Sequence, residues 1–138
     1  QKLWDITYAE LAKLLPTDEA KATTKGKIDN FAAAYGTILF FEDHNVVKGL
    51  QEQFPSYADN FPIWSEQSTG IASFAVWNAL AEAGVGANIQ HYNPLIDEKV
   101  AKEWNIPSNL VLRAQMPFGE IVGEAAPIER KARVRVVK

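Results

Sequence analysis

The sequence predicts a mixed fold, α+β or α/β, because stretches with helical spacing alternate with extended runs. A long apolar helix is predicted in the stretch 64–86, which ends in its glycine exit. Two extended runs are predicted as strands, a β-branched and aromatic one at 37–41 and another at 110–116. With 138 residues, 47% of them hydrophobic, the chain suits a single domain with one core. The single domain is taken to span residues 1–138.

The first predicted helix has apolar side chains three and four residues apart and stops at a proline: Trp4, Tyr8, Leu11, Leu15 and then Pro16. Thr17 can cap the stretch that follows, and residues 21–27 are polar enough to form a weak helix or a loop. Helical spacing resumes over 28–35. The run 37–41 is predicted to be a central strand buried on both faces.

The polar residues 42–45 can cap a helix that continues to Pro55. The long helix after it includes Ile71, Phe74 and Trp77, and its apolar face is so broad that we expect burial on most sides. Gly84 stands where a helix needs a left-handed exit. A short extended segment, residues 87–94, follows directly.

The last third of the chain predicts a short helix, a strand and a loose tail. Asp97 can cap the helix, which would turn Val100 and Trp104 inward. The strand 110–116 stops at residues 117–119, and residues 120–130 are expected to be irregular. The valines of the tail form a final extended piece that needs a sheet edge to pair with: Val134, Val136 and Val137.

Several function classes find no support in composition or motifs. A net charge of −3 favours neither nucleic acid nor an anionic membrane as partner, and no run of about 18 apolar residues exists to span a bilayer. Cysteine is absent, and the two histidines, His44 and His91, lie far apart and outside any zinc motif. Gly84 and Gly86 lack the third glycine of a dinucleotide site and follow a helix, so a Rossmann site is rejected.

Two groups of residues remain as candidates for a binding site. Gln90, His91, Tyr92 and Asn93 form a polar and aromatic cluster that can hold a planar heterocycle by its edge, or can equally be a surface turn. Lys131 and Arg133 lie on the same side of an extended chain, where two cations can grip a phosphate. From the residues alone, a solvated basic tail is the favoured interpretation of that pair.

In four blocks the chain resembles the nitroreductase family. The blocks are AYGTILFFED (34–43), YADNFPIWSEQS (57–68), GANIQHYNPL (86–95) and LRAQMPFG (112–119). The similarity is greatest to a subgroup of short, stand-alone members that includes the yeast fatty-acid-repression proteins and the copper-induced bacterial nitroreductases. It extends over nearly the whole chain.

The resemblance implies an α+β fold with a central antiparallel sheet flanked by helices. It implies a homodimer in which the C-terminal strands are exchanged, the long helix lies in the dimer core and FMN is bound at the subunit interface. Family members also carry basic and polar flavin-binding residues in a leading segment. We expect such a segment before Gln1, since the chain lacks an initiator methionine.

The resemblance also gives the candidate residues roles. Gln90, His91 and Tyr92, with Asn93 adjacent, would line the isoalloxazine edge near N5 and O4, largely through backbone groups. Lys131 and Arg133 would hold the FMN phosphate, in a tail shorter than is usual for the subgroup. No side chain is implied as a nucleophile or metal ligand.

The function so implied is an FMN-dependent oxidoreductase. It would reduce nitroaromatics or quinones with NAD(P)H by ping-pong hydride transfer, in the cytoplasm. The alternative is a non-catalytic, flavin-poor dimeric protein with a binding or regulatory role in a lipid or stress response.

Overall fold

A computed structural model of the chain describes residues 1–123, 126–129 and 134–137. Helices and strands are interleaved as the sequence predicts. In chain order they are α1 (Lys2–Leu11), α2 (Asp18–Ala32), β1 (Gly36–Asp43), α3 (His44–Gln53), a 3₁₀ turn (Pro55–Tyr57), α4 (Phe61–Glu82), β2 (Gly86–Ala87), α5 (Asp97–Trp104) and β3 (Leu110–Gly119).

Two predicted helix starts have the expected physical cause, whereas two other boundaries differ: α5 begins at Asp97 itself with no side-chain cap, and α1 ends at Leu11, before Leu15 and Pro16. Thr17 Oγ1 accepts a hydrogen bond of 3.1 Å from the amide of Ala20, which satisfies one of the unpaired donors at the start of α2. Asp43 caps α3 in the same way, accepting from the Asn45 amide at 2.9 Å. Residues 21–27 belong to the continuous helix α2, and Gly84 follows α4 with φ of 73°.

The three described strands form an antiparallel sheet in the order β1-β3-β2. β3 is the middle strand and runs through Pro117 to Gly119, past its predicted end. β1 lies at an edge of this sheet and most of its residues are only half-buried, so the prediction of a central strand is wrong here. A continuous apolar run alone does not distinguish an edge strand whose faces are covered by helices from a central one.

A β-bulge interrupts the pairing of β1 with β3. Phe40 pairs with Ala114, whereas the next residue, Phe41, pairs with Leu112. Arg113 is therefore an extra residue on β3. Such a residue bends its strand and redirects its own side chain.

One face of the sheet is covered by α1, α2 and α5, which enclose the buried core. Its members come from all three helices and from β3: Leu3, Trp4, Ile28, Val100 and Leu112, together with Ile96 just before α5. Trp4 is 2% exposed, and its ring lies 5.0 Å from that of Phe31. Trp104, which was predicted to point inward, is 41% exposed because the end of α5 lies beyond this core.

The other face carries α4, which packs on α3, β1 and β2. Phe40 and Glu42 alternate with the core-facing Leu39 and Phe41 and line a groove against α4. Only Ser73 of α4 is buried. The prediction that α4 is buried on most sides is thus wrong for the single chain, because one sheet face covers only one side of a helix that is apolar nearly all round.

The side of α4 that points away from the sheet is apolar and open to solvent. Ile71 is 70% exposed and Phe74 is 64% exposed, and large apolar neighbours add to this surface: Ile63, Trp64 and Trp77. We call these five residues the α4 face. In the described tail, Val134, Val136 and Val137 are likewise exposed and pair with no strand. None of the described helices is long and apolar enough to cross a membrane.

Candidate functional site

The segment from Gln90 to Asn93 lies alongside the middle strand. Gln90 and Gln115 exchange both backbone hydrogen bonds, at 2.7 and 2.9 Å, and so extend the antiparallel pairing beyond β2. This agrees with the predicted short extended segment. The candidate residues are consequently attached to the most buried strand of the molecule.

The side chain of Gln115 holds the next two residues of the segment. It is 0% exposed. Its Oε1 accepts from the Tyr92 amide at 2.9 Å, and its Nε2 donates to Asn93 Oδ1 at 3.0 Å. Asn93 Nδ2 in turn donates to the Leu112 carbonyl at 2.7 Å. Every buried polar atom of the Gln115 and Asn93 side chains therefore has a hydrogen-bond partner.

His91 is the exposed residue of the segment. Its Nδ1 lies 3.0 Å from the Arg113 carbonyl, which can only accept, so Nδ1 carries a hydrogen. The main-chain N–H of His91 donates to no group within the part of the chain that the structure describes. Gln90 and Tyr92, by contrast, already use their amides within the fold.

This arrangement fits a flavin. The N5 and O4 atoms of an oxidised isoalloxazine are hydrogen-bond acceptors, and the amide of His91 is a donor that lies on an exposed, extended segment and has no partner among the described residues. The family resemblance implied backbone groups of Gln90, His91 and Tyr92 in this role. The amides of Gln90 and Tyr92 already donate to Gln115, so the amide of His91 is the one of these three that can donate to a flavin.

Tyr92 and Asp97 support the segment from the core side. The Tyr92 ring meets Trp4 edge-on at 6.0 Å, and burial raises the pKa of its hydroxyl. Burial also raises the pKa of Asp97, against the opposing effects of a hydrogen bond from Asn93 and the charge of Arg113. That hydrogen bond joins Asn93 Nδ2 to Asp97 Oδ1 at 2.7 Å.

A group of charged side chains connects the sheet to α4: Glu42, His44, Glu66 and Arg113, which we call the Arg113 cluster. Arg113 Nε donates to Glu42 Oε2 at 3.0 Å, and its guanidinium lies 2.7 Å from Glu66 Oε1. His44 Nε2 donates to the same Glu42 oxygen at 2.9 Å. Burial raises the pKa of Glu42, but hydrogen bonds from Ser65 and Arg113 outweigh it and hold that pKa below the usual range.

The structure thus brings Gln90, His91, Tyr92 and Asn93 together in one bonded segment. Lys131 and Arg133 lie outside the described residues. Within the described part of the chain no cluster of potential metal ligands occurs. Gln115 and Arg113 were assigned no role from sequence, although a glutamine and an arginine in an otherwise apolar strand were a usable signal.

A cavity of about 730 Å³ lies beside the segment and not over it. Asn30, Tyr35 and Phe118 are among its lining residues. Asn88 also lines it, two residues before Gln90, but none of the four candidate residues does. We therefore locate the candidate site from hydrogen-bond geometry and from the exposure of His91.

The chain is similar to known proteins over nearly its whole length. The model of the Nitroreductase family matches residues 1–120. The nitroreductase FRM2 of Saccharomyces cerevisiae is 35% identical over 130 residues, which make up 94% of this chain and 62% of the yeast protein. The chain therefore spans less than two thirds of the length of that relative.

The solved structures most similar to the chain include two complexes of the nitroreductase CinD from Lactococcus lactis. The complex with chloramphenicol superposes with a TM-score of 0.87 at 55% identity, covering 99% of this chain and 70% of that one. The complex with 4-nitrophenol gives a TM-score of 0.85 at 55% identity, with the same coverage of 99% and 70%. The α+β fold with a central antiparallel sheet is confirmed.

Proposed function

Because the chain belongs to the nitroreductase family, we propose that it is a flavoprotein oxidoreductase that reduces nitroaromatics or quinones with NAD(P)H. The observation that carries this proposal is the main-chain N–H of His91, which has no partner in residues 1–123, 126–129 and 134–137 and lies on an exposed segment fixed to β3. The complexes of CinD with chloramphenicol and 4-nitrophenol support a nitroaromatic acceptor, since both molecules contain a nitrophenyl ring.

FMN is the proposed cofactor. When bound, it would supply the redox chemistry of a ping-pong cycle, taking hydride from NAD(P)H and passing electrons to the acceptor. His91 would donate its main-chain N–H to the flavin edge near N5 and O4. Tyr92, Asn93 and the paired backbone of Gln90 would keep that donor in place. Because FMN would carry the electrons, no side chain is needed as a nucleophile.

The phosphate of FMN is assigned to Lys131 and Arg133. Both are cations, and an extended chain places alternate residues on the same side. A charged hydrogen bond to phosphate is about twice as strong as a neutral one, which suits them to this role. This assignment stays a prediction.

A homodimer is the proposed form of the enzyme. The residues of the α4 face lie within about 140° of the helix circumference, at about 100° per residue, so one flat partner can cover them all. A large apolar surface of this kind marks an interaction site. The exposed Val134, Val136 and Val137 would then pair with a sheet edge of the second copy, as the sequence predicts. The cytoplasmic location also stays a prediction.

The test is a visible absorption spectrum of the purified chain, followed by quantification of the flavin released on denaturation. We expect about one FMN per chain, and oxidation of NADH or NADPH that depends on 4-nitrophenol or chloramphenicol. The matched control is free FMN at the same concentration with each nicotinamide. If oxidation does not exceed that control after FMN loading, the enzyme proposal fails, and the non-catalytic binding protein becomes the better description.

A further inference from the structure

Gln115 is a polar residue at a fully buried position with apolar neighbours on its strand. It lies on the middle strand between Ala114 and Met116, and all three residues are at most 1% exposed. Burying an amide costs free energy unless its hydrogen bonds are restored. The core next to it would be satisfied by an apolar side chain, so the amide requires another explanation.

The geometry of the amide supplies one. A glutamine side chain both accepts and donates, and Gln115 uses both functions on the same segment. It accepts from the Tyr92 amide at 2.9 Å and donates to Asn93 Oδ1 at 3.0 Å. The orientation is fixed, because Asn93 Nδ2 is itself engaged with the Leu112 carbonyl and so must present its oxygen to Gln115.

These contacts enclose His91 from both sides. On the side towards the N-terminus, Gln90 pairs with the backbone of Gln115 at 2.7 and 2.9 Å. On the other side, Tyr92 and Asn93 are held by its side chain. A single residue of β3 therefore determines the position of the backbone before and after the exposed donor.

We propose that Gln115 is a positioning residue for the flavin edge, which fixes the His91 amide by bridging Tyr92 and Asn93. This inference rests on the proposed function in its reference to flavin. Gln115 does not touch the cofactor, and acts through the segment from Gln90 to Asn93.

The test compares two substitutions at this position. Gln115→Met keeps the length and shape of the side chain and removes both hydrogen bonds. Gln115→Glu keeps an acceptor for the Tyr92 amide and removes the donor to Asn93. Met116→Leu is the matched control, because it changes a fully buried neighbour on the same strand and removes no side-chain hydrogen bond to the segment. Circular dichroism checks that each variant is folded.

The first readout is amide hydrogen exchange at Tyr92, measured by NMR without added flavin. Loss of one neutral hydrogen bond corresponds to about tenfold faster exchange in Gln115→Met. Gln115→Glu and Met116→Leu should keep the protection of the parent protein. Equal protection of Tyr92 in Gln115→Met would overturn the inference, whether or not the protein binds flavin.

The second readout is the dissociation constant for FMN. We expect it to rise about tenfold in Gln115→Met, by less in Gln115→Glu, and not at all in Met116→Leu. If the parent protein binds no FMN, the proposed function fails, while exchange at Tyr92 still decides whether Gln115 positions the segment. If the parent binds FMN and Gln115→Met binds it equally well, the inference fails and the proposed function stands.

Discussion

The two faces of the sheet differ in how well the chain covers them. On the face of α1, α2 and α5, Trp4 is 2% exposed and its indole N–H donates to Thr37 Oγ1 at 3.1 Å. On the face of α4, Trp77 is 37% exposed and Phe74 is 64% exposed. Large apolar side chains thus stabilise the single chain on one face, whereas on the other they are available to a partner.

An apolar sequence pattern and burial in the single chain are therefore separate properties. The helix α4 has twelve apolar residues among 22 and buries only Ser73, whereas α1 has six among ten and buries Leu3, Trp4 and Thr7. The helix α4 is joined to the sheet by charged side chains, since Arg113 contacts both Glu66 of α4 and Glu42 of β1. We interpret the covered face as the source of monomer stability and the open face as the surface for a second copy.

The largest effect is expected on the covered face. Trp4→Ala should lower the free energy of unfolding by about 3–5 kcal/mol, because it empties the centre of the core. Urea denaturation measures this loss. The matched control is Trp104→Ala, whose side chain is 41% exposed and should cost much less. Equal losses in the two variants would mean that burial in the core of the covered face does not set the cost of removing a tryptophan.

A smaller effect is expected on the open face, and on assembly more than on folding. Phe74→Glu places a charge in the middle of the α4 face and should weaken the dimer by about 2 kcal/mol or more. Sedimentation over a range of concentrations would show the shift towards monomer. Thr23→Glu, the same kind of change at an exposed site on α2, should leave the assembly unchanged. A monomeric parent protein would contradict the dimer outright.

The smallest effect concerns the attachment of α4 to the sheet. The pKa of Glu42 is lowered in the fold, so its stabilisation is present above the unfolded pKa, about 4.3, and is lost as pH falls through the folded pKa. Between pH 6 and 3 the parent protein should therefore lose about 1 kcal/mol more than Glu42→Gln.

Urea denaturation at a series of pH values measures this difference. Asp43, whose pKa is also lowered, through hydrogen bonds from Asn109 and the Asn45 amide, is present in both proteins, so its contribution cancels. Parallel pH profiles for the parent and Glu42→Gln would show that the Arg113 cluster does not stabilise the fold through this carboxylate.

Local features of the fold were predictable where one residue type has one physical use. Thr17, the polar group 42–45 and Gly84 were identified as helix ends from sequence, and the structure confirms each, with Asp43 as the capping member of the group. The cap predicted at Asp97 is wrong, because Asp97 is the first residue of α5 and its side chain caps nothing there. Burial was harder to predict. An apolar run predicts a buried strand or helix but does not state what covers it, so β1 and α4 were both placed more deeply than the single chain shows.

The candidate site was predictable only in part, and for a related reason. Gln90 to Asn93 stand together in the sequence, so a local pattern revealed them. Their support comes from Gln115 and Arg113, more than twenty residues later, and such pairing depends on sheet register. Register in turn depends on the bulge, which side-chain alternation alone does not reveal.

The bulge at Arg113 has a consequence for the parity of β3. In a regular strand, residues separated by an odd number point to opposite faces, so Leu112 and Gln115 would be opposed. One inserted residue reverses that count, and Gln115 comes to the core side, where Leu112 packs and Tyr92 lies. The segment from Gln90 to Asn93 is therefore supported by Gln115 only because the bulge at Arg113 places that side chain on the core face of the sheet. Deleting one residue there would invert every side chain beyond it, a change that no substitution could reproduce.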